Sequence, residues 1–162
     1  MKLPKRKPNR LTGYDYSSCG AYFVTLCVKD RLQRLGEIVG DDAHIVPIIA
    51  LSETGLVVQK YIKGMVGVDQ YVIMPNHIHL IIQIPNTNSG TMWASSPTPQ
   101  SISQRMKSFK TLVTKEIGCS IWQRSFYDHV IRNEEEYQKI WRYIDENPVK
   151  WEEDRFYEVQ PC

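Results

Sequence analysis

The sequence predicts an α+β protein, a ferredoxin-like βαββαβ sandwich with an antiparallel sheet and an extra C-terminal helix. Three observations lead to this fold class. Runs rich in β-branched and aromatic residues alternate with segments of helical periodicity, in the order strand, helix, strand, strand, helix, strand, helix. A Pro75-Asn76 pair separates two of the β-type runs, as in a tight turn. The last helical segment lies between Asn133 and Pro148, residue types that begin and end helices.

The length of the chain favours one domain. With 162 residues, 42% of them hydrophobic, the chain is long enough for one well-buried core and short for two. We predict a basic flexible arm over residues 1–10, a single domain over 11–151 and a C-terminal tail over 152–162. Pro, Ser, Thr, Asn and Gly crowd residues 85–101, which predicts a mobile loop within the domain.

The first half of the chain predicts two strands and a helix. GAYFVTLCVKD, from Gly20 to Asp30, is rich in β-branched and aromatic residues and ends in a charged turn, as a buried strand does. LGEIV, which starts at Leu35, is a short strand after it. Apolar residues recur at helical spacing from Ile48 to Lys63, which predicts a helix despite Gly55.

A hairpin and a second helix follow. QYVIM and HIHLIIQI flank the Pro75-Asn76 pair, and two β-type runs around a turn signal predict antiparallel strands. His77 and His79 open the second of these strands. ISQRMKSFKTLVTKEI, from Ile102 to Ile117, repeats apolar residues at helical spacing, with basic residues on its other faces.

The C-terminal third predicts a strand and the last helix. SIWQRSFYDHVI, from Ser120 to Ile131, reads as a strand. Asn133 is a helix N-cap with Glu136 three residues later, and Pro148 enforces an end, so the helix covers Glu134 to Glu146.

The positive charge is concentrated at the N-terminus, although the formal net charge is only +2. A solvated tail that improves solubility and an arm that seeks phosphate both fit this pattern. The basic residues of the arm are Lys2, Lys5, Arg6, Lys7 and Arg10.

The cysteines and the apolar runs argue against a secreted or membrane protein. Cys19, Cys27, Cys119 and Cys162 are scattered without a CxxC pair, which is typical of reduced cytosolic thiols. The apolar runs are far shorter than the roughly 18 to 20 residues that cross a bilayer, and no apolar segment follows the basic N-terminus. We therefore expect a cytoplasmic protein without a membrane partner.

Two histidines stand in the apolar stretch YVIMPNHIHLII. Residues two apart on a strand share a face, so the rings of His77 and His79 lie side by side. Such a pair can hold a metal ion, and a hydrogen-bonded core pair is the alternative. The scattered cysteines argue against a four-ligand zinc cage. The pattern therefore indicates an open metal site with vacant positions for a substrate.

Four segments in order carry a family resemblance. They are MPNHIHLII, YDYSSCGAYFVTLCVKD, WQRSFYDHVIRNEEEY and YIDENPVKW. MPNHIHLII is similar to the His-hydrophobic-His (HUH) motif of single-strand DNA nucleases. Together the segments resemble the REP-associated tyrosine transposases, single-tyrosine relatives of insertion-sequence transposases that act on DNA hairpins. The resemblance covers about Leu11 to Trp151.

The resemblance implies an activity and a set of site residues. The family cleaves single-stranded or hairpin DNA by tyrosine attack on a phosphodiester, leaving a 5′-phosphotyrosine and a free 3′-OH, with Mg²⁺ or Mn²⁺. By the same resemblance Tyr143 is the nucleophile, and His77, His79 and Asn147 hold the metal, although insertion-sequence enzymes usually have Gln in place of Asn147. A bacterial, nucleoid-associated protein is implied, either monomer or homodimer. A binding protein of this fold that recognises a DNA hairpin without cutting it is the alternative.

Helix geometry separates Tyr143 from Tyr137 on the last helix and supports the resemblance without deciding the nucleophile alone. At about 100° per residue, one stripe of the last helix faces the core. That stripe consists of Tyr137, Ile140, Trp141 and Ile144. Tyr143 lies off the stripe, as a flank residue with a free hydroxyl, on nearly the same side as Asn147.

Other polar and aromatic residues have weaker claims. Tyr127 and His129 are rivals on the last strand, with His129 interpreted as a packing or hydrogen-bonding residue and His44 as a loop histidine. Trp93 could stack on an unpaired base or fold back on the core. Beyond the arm, the basic residues expected to bind DNA are Lys107, Lys110, Lys115, Arg124 and Arg132.

Overall fold

A computed structural model of the chain describes residues 19–40, 48–85 and 100–157. The predicted arm, His44, Trp93 and most of the predicted loop at 85–101 lie outside these residues. In chain order the elements are β1 (Gly20–Cys27), β2 (Gly36–Val39), β3 (Ile48–Leu51), α1 (Glu53–Lys63), β4 (Val68–Met74), β5 (His77–Ile84), α2 (Ile102–Ile117), β6 (Tyr127–Ile131) and α3 (Glu134–Glu146). Short 3₁₀ turns occupy Lys29–Arg31 and Trp151–Glu153.

The main sheet confirms the predicted fold class. Its four strands lie in the order β4-β5-β1-β6, and every neighbouring pair is antiparallel. With the small β2-β3 sheet set aside, the chain runs βαββαβ, and the two crossover helices return it to the positions that a ferredoxin-like sandwich requires. α3 is the extra C-terminal helix.

The two faces of the sheet carry different helices. Tyr22, Val24 and Leu80 project to the face where α1 and α2 pack, and they belong to the larger hydrophobic core. Phe23 and Ile81 point the opposite way, because successive strand residues alternate, and pack in a smaller core with Ile131 and Ile144. α3 therefore covers the face that also carries His77 and His79.

The predicted helix over Ile48–Lys63 is wrong at its start. Ile48–Leu51 is strand β3, paired with β2, and the helix begins only at Glu53. Ser52 ends the extended segment and caps the helix, its side chain accepting a hydrogen bond from the backbone N–H of Gly55. A Cβ on Gly55 would overlap the carbonyl oxygen of Leu35, so this glycine allows α1 to pack directly against the backbone at Leu35.

The bounds predicted for α2 and α3 are confirmed. Ser101 and Gln104 form a reciprocal capping box at the start of α2. Asn133 caps α3, its Oδ1 accepting from the backbone N–H of Glu136 at 2.8 Å. Strong local signals at both ends therefore suffice to place these helices.

The charged turn predicted at the end of the first strand is present: β1 ends at Cys27, and Asp30 and Arg31 adopt left-handed φ angles of 56° and 51° in the following turn. Two other predictions need correction. β6 covers only Tyr127–Ile131, and upstream of it Trp122 makes one isolated bridge. Trp141, predicted to face the core, is 39% exposed, so the buried stripe of α3 is narrower than expected.

No helix among the described residues is long and apolar enough to span a membrane.

Candidate active site

The floor of the site is made by β5 and its neighbour β1. His77 and His79 point to the α3 side of the sheet, and both are fully buried. Thr25 lies directly opposite His79, and Cys27 lies opposite His77. Because these four positions share one face, the two imidazoles stand side by side beneath α3.

The tautomer of His77 is determined by Asn76. The side-chain Nδ2 of Asn76 donates to the carbonyl oxygens of Arg31 and Phe156. Its Oδ1 must therefore be the acceptor in the 2.8 Å contact with Nδ1 of His77. Nδ1 of His77 then carries the proton, and its Nε2 presents a lone pair to the site.

His79 faces His77 across a short gap. Its Nδ1 lies 2.8 Å from the hydroxyl of Thr25, which can either donate or accept. The two Nε2 atoms are 3.0 Å apart, so one proton between them is shared when the site holds no cation. Burial lowers the pKa of His77 to about 4, and burial together with the neighbouring His77 lowers the pKa of His79 well below its usual value. Both rings are neutral at pH 7.

α3 brings Tyr143 and Asn147 to the same place. The hydroxyl of Tyr143 lies 3.2 Å from Nε2 of His79, while its ring is 40% exposed at the surface. The sequence predicts that this hydroxyl is free. Instead it contacts both His79 and the carboxylate of Asp154, the latter at 3.2 Å. Asn147 is buried one turn further on, and its Oδ1 has no hydrogen-bond partner among the described residues.

Asp154 is a site residue that sequence reasoning missed. Its carboxylate accepts hydrogen bonds from Tyr143 and, at 3.0 Å, from Nδ2 of Asn147. One ligand atom from each of His77, His79 and Asp154 lies within 4.8 Å of the others. Two imidazole nitrogens and a carboxylate oxygen are ligands that divalent ions accept.

The surroundings of Tyr143 keep its hydroxyl protonated. Burial raises the pKa of Tyr143 to about 12, and the Asp154 carboxylate beside it acts in the same direction. The phenol is thus a weak nucleophile in this arrangement, and deprotonation requires that positive charge be brought close to the oxygen.

The segment after α3 closes over the histidines. The ring of Phe156 lies 4.6 Å from that of His77 and 6.0 Å from that of His79, centroid to centroid. Its carbonyl oxygen is held by Asn76, and the ring of Trp151 lies 6.0 Å from that of His77 on a second side. The chain from Trp151 to Phe156 therefore forms a cover over the site.

Two depressions flank Tyr143 at the surface. One, of about 290 Å³, is rich in charge and contains Lys139, Arg142 and Lys150. The other, of about 460 Å³, has aromatic walls and lies between β6 and α3. The cations of the first were not predicted, although Lys139 lies four residues before Tyr143, a neighbouring position on the surface of α3.

The predicted DNA-binding residues that the structure describes do not surround Tyr143. α2 packs on the opposite face of the sheet from α3, which places Lys107, Lys110 and Lys115 on that side. Nζ of Lys110 donates to the carbonyl oxygens of Gln123 and Arg124, which ties α2 to the following loop.

The remaining candidates lie around β6. Arg124 is exposed in an open depression beyond the end of β1. Arg132 follows β6, and its backbone N–H donates to Glu136. His129 bonds Glu136 at 2.7 Å, which agrees with its interpretation as a hydrogen-bonding residue. Tyr127 is 40% exposed on the same face as the histidines.

Comparisons with known proteins agree on one family. Residues 20–147 match the family model described as "Transposase IS200 like". An uncharacterised protein of Haemophilus influenzae is 33% identical over 174 residues, covering 94% of this chain and 93% of that protein. The REP-associated tyrosine transposase of Escherichia coli K12 is 31% identical over 84 residues, covering 51% of this chain and 44% of that one.

A solved structure has the same fold. It is a REP-associated tyrosine transposase bound to a REP hairpin, with a TM-score of 0.55 and 23% sequence identity. The match covers 93% of this chain and 74% of the other.

Proposed function

The chain belongs to the IS200-like transposase family, and from this premise we propose that it cuts and rejoins single-stranded DNA beside a hairpin through Tyr143. The observation that carries the proposal is the Tyr143 hydroxyl 3.2 Å from Nε2 of His79, within a cluster of metal-ligating groups. The hairpin is suggested by the relative solved with a REP hairpin. The setting is the cytoplasm of a bacterium, at the nucleoid.

The chemistry needs a nucleophile and a leaving group at one phosphate. The Oη of Tyr143 attacks phosphorus, and the bond from phosphorus to the 3′-oxygen breaks. The net result includes transfer of the phenolic proton to the 3′-oxygen. The products are a 5′-phosphotyrosine and a free 3′-OH. Because the new ester stores the energy of the broken one, a 3′-OH of another strand reverses the reaction without a nucleotide cofactor.

A divalent ion fits the residues present. His77, His79 and Asp154 would hold Mg²⁺ or Mn²⁺, with Asn147 as a further oxygen donor. The fit rests on the tautomer of His77, whose lone pair points at the second imidazole, and on the buried Asn147 oxygen without a described partner. The ion supplies positive charge to the phosphate oxygens and favours departure of the 3′-oxygen.

The cover over the histidines has a consequence for the reaction. A phosphate cannot reach groups that are fully buried, so the ring of Phe156 must move away from His77 and His79 when DNA binds, while Asp154 stays beside them. The same burial is the observation that favours the second candidate function, a hairpin-binding protein that does not cut. The two candidates differ in one measurable product, a covalent adduct.

The test is incubation of the full chain with hairpin DNA that carries a 5′ single-stranded extension, in Mn²⁺, followed by a denaturing gel. The enzyme gives an adduct that survives denaturation and disappears with a chelator. His77→Ala and His79→Ala should lose the adduct and retain hairpin binding, because their proposed role is to hold the ion. Binding without any adduct would select the non-cutting alternative, and full activity in the double variant would remove the metal site.

A further inference from the structure

The aromatic depression beside Tyr143 has the features of a binding groove. Its volume of about 460 Å³ lies within the range of pockets that take small ligands, roughly 300 to 1,000 Å³. It opens next to the hydroxyl-bearing ring of Tyr143, between β6 and α3. Its lining includes Phe23, Tyr127, His129, Ile140, Tyr143 and Arg155.

The walls of the groove are flat rings with a cation at the rim. Tyr127 is 40% exposed, and the guanidinium of Arg155 lies 5.7 Å from the centroid of its ring. Phe23 packs edge-on against Tyr143, with ring centroids 6.1 Å apart. An exposed aromatic wall of this kind offers a stacking surface to a planar ring. Stacking removes both apolar faces from water, which stabilises the contact.

A polar group that could read the ring edge lies in the same groove. His129 is held by a 2.7 Å hydrogen bond from its Nε2 to Glu136. The other carboxylate oxygen of Glu136 accepts from the backbone N–H of Arg132. His129 is thereby fixed in position, and its Nδ1 has no hydrogen-bond partner among the residues that the structure describes.

We propose that this groove binds one unpaired nucleobase of the DNA strand, next to the phosphate attacked by Tyr143, with Tyr127 as the stacking platform. The inference rests on the proposed function and adds a specificity-determining subsite to it. The charged depression beside Tyr143 combines Lys139, Arg142 and Lys150 with three carboxylates, so its cations could contact single phosphates although its net charge is not positive.

The experiment uses the full chain with a chelator, so that no cutting is needed. Hairpin oligonucleotides carry 2-aminopurine at one single-stranded position at a time, and fluorescence is compared between free and bound DNA. One position should be quenched on binding, and an abasic site there should weaken the affinity by about 5- to 150-fold, the range for stacking of one base on an aromatic side chain. Tyr127→Ala should remove both effects, and Tyr127→Phe should retain them.

Trp141→Ala is the matched control, because Trp141 is an aromatic residue of α3 that is 39% exposed and lies outside the groove. It should leave the quenching unchanged. The proposal is overturned if no position is quenched in the bound complex, if the abasic scan of the unaltered chain shows no sensitive position, or if both alanine variants have equal effects. The fluorescence and affinity measurements depend on binding alone. If no covalent adduct forms, the proposed cutting is refuted, but these measurements still test the base groove.

Discussion

At the scale of single residues, the site depends on two histidines that stay neutral. His77 and His79 are fully buried with their Nε2 atoms 3.0 Å apart, and a proton on either ring would place an unsolvated charge beside the other. Asn76 and Thr25 hold the rings in place by hydrogen bonds to their Nδ1 atoms. The arrangement keeps both imidazoles neutral, as metal ligation requires, at the cost of acid stability.

The first prediction concerns that acid stability. The pKa of His77 is about 4 in the folded protein, against about 6.5 in an unfolded chain, so the unfolded state binds the proton first as pH falls. The contribution of His77 to the free energy of unfolding is therefore fully present above pH 6.5 and falls by about 3 kcal/mol as pH drops to 4. Denaturant titrations without metal, at pH steps across this window, measure the loss.

His77→Gln should flatten the pH dependence, because it removes the titrating ring. His129→Gln is the matched control, since His129 is only partly buried and lies outside the metal cluster. Equal slopes in wild type and His77→Gln would show that the buried ring does not govern acid stability.

At the scale of elements, the segment after α3 controls access to the site. Phe156 packs on both imidazoles, Asp154 bonds Tyr143 and Asn147, and the backbone turns back through the 3₁₀ turn at Trp151–Glu153. A single ring thus contributes much of the cover.

The second prediction is that Phe156→Ala increases the rate of adduct formation. Burying a Phe side chain fully stabilises by roughly 1.5–3 kcal/mol, and a partly buried ring contributes the lower end, so the open state should gain about tenfold. Single-turnover adduct formation in Mn²⁺ measures the change. Tyr157→Ala is the control, because Tyr157 packs on Trp151 at 5.3 Å rather than on the histidines. A rate that is unchanged or lower in Phe156→Ala would contradict the role of the cover.

Elements with strong local signals were predictable, and those that depend on distant partners were not. α2 and α3 follow from apolar spacing and caps, and the hairpin from Pro75-Asn76. β3 was absorbed into a helix, because a four-residue apolar run next to a helix has no signal of its own and becomes a strand only by pairing with β2. Asp154 and Phe156 were missed for the same reason, since only the chain reversal after Pro148 brings them to the histidines.

At the scale of the whole molecule, the sheet separates two sets of cations. Lys107 and Lys115 lie on the α2 side, while Lys139 and Arg142 lie beside Tyr143 on the α3 side. Alternation along β5 predicted that His77 and His79 share a face, whereas Tyr143 was assigned to their site by the helix geometry together with the family resemblance. The distribution of the cations between the two faces of the sheet could not be predicted without the fold.

The third prediction concerns the arm at residues 1–10, whose five cations are proposed to contact phosphates. If each contributes about −0.7 to the slope of log K against log salt for single strands, the arm accounts for about −3.5. Titrations of single-stranded DNA at several salt concentrations should give a slope flatter by this amount when residues 1–10 are deleted. Replacing the five cations with Gln should have the same effect, which separates charge from length. An unchanged slope in both would leave the arm without a role in DNA binding.

The central claim is that Tyr143 becomes covalently joined to DNA. The hydroxyl of Tyr143 contacts His79 and Asp154, whereas Tyr127 lies on β6, within the proposed base groove. Tyr143→Phe removes only the oxygen and preserves the edge-on packing against Phe23, so folding and hairpin binding should be retained.

The most direct measurement is mass mapping of the DNA-linked peptide after incubation with 5′-extended hairpin DNA and Mn²⁺. We predict that the nucleotide is attached to the peptide containing Tyr143, that Tyr143→Phe forms no adduct, and that Tyr127→Phe still forms one. An adduct mapped to Tyr127 or Tyr137, or one that persists in Tyr143→Phe, would contradict the account and move the reaction away from the α3 hydroxyl.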